Sequence, residues 1–541
     1  MGRVRSVVAK VNQKLTIQWA AGLLAASLLA SSLIGLYRDR LLNSLYLDTY
    51  PVGIDAYTAA FQIPDFMFYI LVSGALSVTF IPVFVQRLGS GNRHSAWELS
   101  ASLINLMAVL TIVASVLMII FAPSLVGWLV PGMSESGQAL ATSMMRVIAI
   151  NPFLFAISAV IASMQQALGR YVFYALAPMI YNIGIIIGAL YFTEGITIFG
   201  WHIFDGGIMG VALGVVLGSI MQLAVSAIGL AGVGFDYQFK INWKNKGFRT
   251  VLGLLPARSL DQGMDYLTGF VETNLASRFG EGMVRSYQQA MTLHMMPVNL
   301  VGVAISTAAF PSMSEHLGSG HIDKFRTELQ QVIRVIIWLA LPIATVTYFA
   351  RGYVVSFIKN GGDQVIANIL AALVVAMLFR TIYHIAARSF YAQQDTKTPL
   401  YISIFSISLN VALAVWFSMG LNMGVIGLAF AQSIVAVVEV VILFAVIQRR
   451  LPNGLFDRPM VHAIGRMLSA TGFTAVAAYA MVRLLQLQNT DLSLSATIPK
   501  FAVITLVSFL VYLGVCWLMQ LEEAETVIGR IKKMAFGSIR R

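Results

Sequence analysis

Residues 82–91 read Pro-Val-Phe-Val-Gln-Arg-Leu-Gly-Ser-Gly, and residues 311–320 read Pro-Ser-Met-Ser-Glu-His-Leu-Gly-Ser-Gly. Each stretch opens on proline, closes on Leu-Gly-Ser-Gly and follows a long apolar run, and 229 positions separate the two. Asn182 and Asn410 recur near the same offset. Met209-Gly210-Val211 with Ser219-Ile220 returns as Met423-Gly424-Val425 with Ser433-Ile434, now 214 apart, as a longer loop in the first copy requires. A repeat of this length constrains the whole fold. With six spans per copy both copies enter a membrane in the same sense, related by an axis along its normal, and a substrate usually sits between them.

The surrounding composition says that the solvent is lipid. Of 541 residues 58% are hydrophobic and 11% charged, and the mean hydropathy is +0.78; soluble domains carry about 25% charged residues. A helix needs about 20 apolar residues to cross the hydrocarbon core. That length fits spans at 15–37, 56–86, 101–128, 140–168, 172–192, 206–231, 250–277, 284–314, 329–358, 364–391, 399–420, 423–447, 462–485 and 501–520. The expectation is an all-α polytopic membrane protein of about fourteen transmembrane helices: two six-helix pseudo-symmetric lobes plus two C-terminal helices. The lobes divide as 1–235 and 236–450, with the last two spans and a basic cytoplasmic tail in 451–541. Pro64, Pro82, Pro297 and Pro311 predict broken or tilted helices in spans two and eight.

Lys and Arg cluster at 3–14, 240–249, 449–458 and 530–541, while the opposite loops hold scattered residues such as Arg278, Arg285, Arg351, Lys359, Arg483 and Lys500. By the positive-inside rule both termini are cytoplasmic. The same rule accounts for the net charge of +12, and with no long basic patch or stacking-aromatic motif nucleic acid is not the partner. The basic N-terminus runs into the first span without a small-residue cleavage site. One cysteine, Cys516, excludes an intramolecular disulfide and a cysteine zinc cluster. No phosphate-cradling loop, zinc-binding helix or nucleophile elbow stands in suitable context, so the chain does not read as an enzyme.

Charge inside the spans marks candidate sites, because an ionisable group in hydrocarbon is costly. Arg38 and Asp39 end span one, either as a cavity-mouth cation with its carboxylate, a gate between the halves, or an interfacial salt bridge. Asp261, Asp265 and Glu272 share one face of span seven. Arg380, His384 and Arg388 recur every four residues in span ten and form a basic stripe. That stripe either holds an anion, pairs with the span-seven carboxylates or snorkels to the surface. Asp55 and Asp65 flank the start of span two, where Asp55 also suits a helix cap. Arg146 and His294 are single polar residues in apolar spans, each suited to lining a cavity or to an interhelical hydrogen bond.

The chain resembles the MurJ/MviN family of lipid II flippases, within the multidrug/oligosaccharidyl-lipid/polysaccharide exporter superfamily. The resemblance rests on Gly35-x-x-Arg38-Asp39, Asp55-Ala56-Tyr57 with Phe61-Gln62-Ile63-Pro64, and Gly74-Ala75-Leu76-Ser77 with Phe80-Ile81-Pro82. It continues in Pro297-x-x-Leu300-x-Gly302-Val303-Ala304 with Phe310-Pro311-Ser312, and in the run from Arg388 to Pro399. It implies a V-shaped bundle that moves an undecaprenyl-pyrophosphate-linked peptidoglycan precursor between leaflets of the bacterial inner membrane by alternating access. Spans thirteen and fourteen would form a groove for the lipid tail. Membrane lipids and cell-wall synthesis proteins would be its other partners. Arginine suits such a substrate because its fork matches pyrophosphate oxygens. The family's cavity arginines on spans one, two and eight align with Ser32, Phe68 and Thr292 here, which leaves Arg38 and the span-ten stripe as candidate cations. The resemblance also places Asp55 near the outer gate. It implies ion coupling at Glu272 with Asn410 and Asp265, through sodium, protons or the membrane potential; Ala414 stands where a further carboxylate is expected. The alternative reading is a related exporter of another polyprenyl-linked saccharide or of a cationic small molecule.

Overall fold

A computed structural model describes residues 17–529, apart from 74–78, 199–200, 205, 489–490 and 526–527. The side chains of 17–18, 20–21, 73, 196–198, 201–203 and 254–265 lie outside the described set, as do the basic segments at both termini. The chain divides into two compact units, residues 1–285 and 286–541. Among the described residues, eleven helices or helix pairs are long and apolar enough to cross a membrane.

The first unit holds α1 (Ile17–Tyr46), α2 (Pro51–Phe68), α3 (Ile81–Gly89), α4 (Arg93–Leu129), α5 (Glu135–Ile148) and α6 (Asn151–Ala167), then α7 (Val172–Tyr191), α8 (Met209–Ile228) and α9 (Lys246–Ala276). The helix α1 runs nine residues beyond the span expected from the sequence, so Arg38 and Asp39 lie within it and not at its end. Between α7 and α8 stands one short antiparallel ribbon, Ile196–Ile198 with Trp201–Phe204. This ribbon departs from a purely helical chain and lies in the longer loop that the change of offset from 229 to 214 requires. Where α7 and α8 cross, a Cβ on Gly184 would lie 2.2 Å from Gly218 Cα, and one on Gly188 2.4 Å from Gly214 Cα. Only glycine lets two backbones approach so closely. A second packing centre joins Phe80 and Phe84 to Trp97, Leu103 and Phe248.

The second unit holds α10 (Met283–Pro297, its first turn in the first unit), α11 (Ala304–Gly318), α12 (Ile322–Phe349), the short α13 (Arg351–Ser356) and α14 (Gln364–Ala392). It continues through α15 (Lys397–Val415), α16 (Val425–Arg450), α17 (Arg458–Leu485) and α18 (Leu494–Leu518). Its core is built from Phe325, Ile333, Ile336, Phe390, Leu443 and Tyr512, which join α12, α14, α16 and α18.

The repeat is present in the backbone. A π-helical turn occupies Tyr69–Ser73 after α2, and another occupies Val298–Val303 after α10, starting 229 residues later. The expected proline breaks are therefore wide turns: Pro64 stays inside α2 with the π turn beginning five residues on, and Pro297 directly precedes its own. The Leu-Gly-Ser-Gly motifs end α3 and α11 with the same turn. Asn92 N–H donates to Arg87 carbonyl (3.2 Å) and Gly91 N–H to Leu88 carbonyl (3.1 Å); His321 to His316 (2.8 Å) and Gly320 to Leu317 (3.0 Å) repeat them. Gly91 and Gly320 take φ of +77° and +75°, the left-handed conformation that this cap requires.

Candidate functional site

In the first unit α1 and the turn into α10 build a buried ionic network. Arg38 donates through Nη2 to Asp39 Oδ1 (3.0 Å) and through Nη1 to Asn182 Oδ1 (2.8 Å) on α7. Arg285 donates through Nη2 to the same Asp39 oxygen (3.1 Å) and through Nε to Asn43 Oδ1 (2.8 Å). Asp39 and Asn43 stand one helical turn apart on α1, so one helix face meets one guanidinium. Asp55 lies inside α2 and caps another helix: its carboxylate accepts the backbone N–H groups of Gly282 (2.6 Å) and Arg285 (2.7 Å). Those amides are the orphan donors at the start of α10, where an anion also meets the positive end of the helix dipole.

Two cations therefore share one carboxylate. The Arg38 side chain retains 24% exposure and that of Arg285 6%, so Arg38 is the edge of the network that an anion can reach. From the sequence Arg285 is expected in an outer loop, and the span-eight cation position falls at Thr292. Thr292 in fact donates its hydroxyl to its own helix at Gln288 (2.9 Å), and the buried guanidinium of α10 is Arg285, seven residues earlier.

In the second unit Arg380 on α14 pairs with Glu439 on α16, Nη1 to Oε2 at 3.0 Å. Ser403 on α15 donates to the other carboxylate oxygen (3.2 Å), and the guanidinium stands 5.7 Å from the Tyr383 ring centroid. Nothing in the sequence reading named Glu439. The stripe is thus divided: Arg380 carries a counter-charge, whereas His384 and Arg388, both half-buried, form no ion pair among the described residues. The adjoining turn of α14 is pressed against the π turn after α10, where a Cβ on Gly302 would meet the Thr381 carbonyl at 2.6 Å. His294, in the same π-broken span, is 3% exposed, its Nδ1 lies 3.3 Å from the Met291 carbonyl, and its Nε2 has no hydrogen-bond partner among the described residues. Arg146 donates to the Ile119 carbonyl (3.2 Å) and joins neither cluster.

Glu272 is buried on α9 in the first unit, and Asn410 is buried on α15 in the second. The side chains of Asp261 and Asp265 lie outside the described residues. Among the described residues no group of three or more His, Cys, Asp or Glu side chains is placed to hold a metal ion, and Ala414 is buried.

Long apolar helices, an internal repeat carried into the backbone, and buried guanidinium–carboxylate clusters define a multi-pass membrane protein. Its fold is that of solved transporters. One is a lipid II flippase MurJ in an inward closed conformation, at TM-score 0.73 and 21% identity over 92% of this chain and 98% of that one. Another is an inward-facing multidrug resistance MATE family transporter of the MOP superfamily, at 0.66 and 17% over 83% and 97%. A family model described as lipid II flippase MurJ matches residues 51–503, and the chain belongs to that family. Curated relatives agree: a probable lipid II flippase MurJ of Rhizobium meliloti is 24% identical over 466 residues, 84% of each chain. That of Bdellovibrio bacteriovorus is 25% identical over 447 residues, 80% of this chain and 82% of its own.

Proposed function

We propose that this protein is a lipid II flippase of the bacterial inner membrane, carrying an undecaprenyl-pyrophosphate-linked peptidoglycan precursor from the cytoplasmic to the outer leaflet. The family match over residues 51–503 carries the reading; it does not favour export of another saccharide or of a cationic small molecule. The polar, anionic headgroup is the problem to be solved, since an unpaired charge in a low-dielectric medium costs many kcal/mol. The Arg38–Asp39–Arg285 network supplies a preorganised positive centre, and Arg380, His384 and Arg388 a second one for the pyrophosphate.

Movement is by alternating access between residues 1–235 and 236–450, with 451–541 guiding the lipid tail, both termini cytoplasmic and no chemistry performed on the substrate. Coupling runs through sodium, protons or the membrane potential at Glu272, with Asn410 and Asp265. Ala414 offers no donor where a further carboxylate is implied, so no step is drawn through a bound sodium ion. Cell-wall synthesis proteins are the proposed neighbours.

Complementation of a bacterium depleted of its own lipid II flippase is the test. The wild-type chain restores growth, and Arg38→Ala, Arg285→Ala and Glu272→Ala lose rescue while inserting normally. Failure of a well-inserted wild-type chain would overturn the reading.

A further inference from the structure

On the second unit, at the end where α12 stops and α14 starts, a groove of about 550 Å³ runs between α12, α14 and α16. Val374, Val375, Ile426, Phe430, Ile434 and Val437 line it, together with the more polar Tyr348, Arg351 and Asn368. We propose that this groove binds an anionic phospholipid, with the phosphate on Arg351 and one acyl chain lying between α14 and α16.

Charge and length both favour that occupant. Arg351 donates Nη1 to the Tyr348 carbonyl (2.8 Å), and its guanidinium sits 5.4 Å from the Tyr348 ring centroid, so the side chain is propped in place. Its Nε and Nη2 form no hydrogen bond, and no carboxylate pairs with it among the described residues. The acids of this end are already taken: Asp363 by Lys359 (2.7 Å) and Asp491 by Lys500 (2.6 Å). Phosphate oxygens match the open edge of a guanidinium. From Ile426 to Val437 the α16 wall is about 17 Å long at 1.5 Å per residue, close to the roughly 15 Å of one leaflet's hydrocarbon. Tyr348, Val375, Phe430 and Ile434 are all at least 40% exposed, a continuous apolar surface that an acyl chain would cover. The site lies outside both ionic clusters and does not depend on the flippase reading.

Native mass spectrometry of the full chain, offered phosphatidylglycerol or phosphatidylcholine with matched acyl chains, tests this. The expected result is about fivefold preferential retention of phosphatidylglycerol, the scale of one basic residue at an anionic interface. Arg351→Ala abolishes the preference, Arg351→Lys keeps most of it, and Ala371→Phe, which fills the groove, lowers retention of both lipids. Equal retention by the wild type, or a preference that survives in Arg351→Ala, overturns the proposal. So does undecaprenyl phosphate displacing phosphatidylglycerol through Arg351, since the groove would then belong to the polyprenyl carrier.

Discussion

Arg380 and Glu439 are 59 positions apart in the chain and 3.0 Å apart in space. The Glu439 side chain is 3% exposed and that of Arg380 30%, so the pair is a buried carboxylate held by a half-open cation. Removing one partner of such a pair leaves an uncompensated charge and costs about 3 kcal/mol, whereas replacing both with apolar residues is close to neutral. Arg380→Met should therefore destabilise strongly, and the Arg380→Met/Glu439→Met double variant should recover much of the loss. Glu439→Gln, whose one carbonyl oxygen still accepts from Arg380 while its amide N–H can donate to the Ser403 hydroxyl, should cost less than either single apolar change. Denaturant unfolding in micelles reads all four; strict additivity would refute the coupling. A second residue-scale case is Gln394. It closes α14 with the same turn as Gly91 and Gly320, yet at φ +59° without being glycine. The left-handed conformation costs a side-chain-bearing residue about 1 kcal/mol, so Gln394→Gly should raise the midpoint of thermal unfolding.

At the scale of elements, the crossing of α7 and α8 depends on Gly184, Gly188, Gly214 and Gly218. Gly184→Leu places carbon inside the opposing backbone, and overpacking of this kind costs about 1–3 kcal/mol. A Cβ on Gly465 of α17 would meet nothing within 4 Å, so Gly465→Leu is the matched control in the same thermal assay. The start of α15 depends on Asp395, whose carboxylate accepts the Thr398 hydroxyl (2.6 Å) and the N–H groups of Lys397 and Thr398 (3.0 Å each), with Arg450 at 2.7 Å. These bonds, the Thr398 hydroxyl first, hold its carboxyl below the usual 3.8. A depressed carboxyl stabilises the fold above its unfolded pKa, and the contribution fades as pH falls below about 3.8 toward the folded value. Asp395→Ala should accordingly cost about 1 kcal/mol at neutral pH, as a lost cap does. Its deficit against the wild type should shrink in acid titration below that point. These elements also show what the sequence could disclose. Glycine-ended turns repeat because glycine takes the left-handed cap at the lowest cost, so the repeat was legible at 82–91 and 311–320. Proline signalled irregular spans but not π turns, the second of which packs at Gly302 against Thr381 on α14. Glu439 and Arg285 were missed because their roles come from helices brought together across long separations, and no local spacing marks such a pair.

In the whole molecule the fourteen expected spans have to alternate in direction, and eleven of them are long and apolar enough among the described residues. The remaining three are α1, the α2–α3 pair, between which 74–78 lie outside the described residues, and α9, which carries Arg258, Asp261, Asp265 and Glu272 within one span's length. A charged α9 is costly to insert alone, and its insertion fixes the sidedness of every later loop. If α9 crosses, a loop before it such as Asp236 and the next loop at Glu281 face opposite sides; if it lies on the surface, they share a side. The chain suits a cysteine-accessibility test, because its single thiol, Cys516, is fully buried. Cysteines placed at Gly91, Asp236, Gly320 and Gly454 should be labelled by an impermeant maleimide only after the membrane is opened. Those at Glu281, Asn360 and Leu421 should be labelled in intact spheroplasts. Labelling of Asp236→Cys and Glu281→Cys from the same side would remove α9 from the spans. It would also reverse one half of the repeat relative to the other, turning a parallel pair of lobes into an inverted one. The matching turns at Gly91 and Gly320 would then lie on opposite faces of the membrane, so the two cysteines placed there test the symmetry independently of α9.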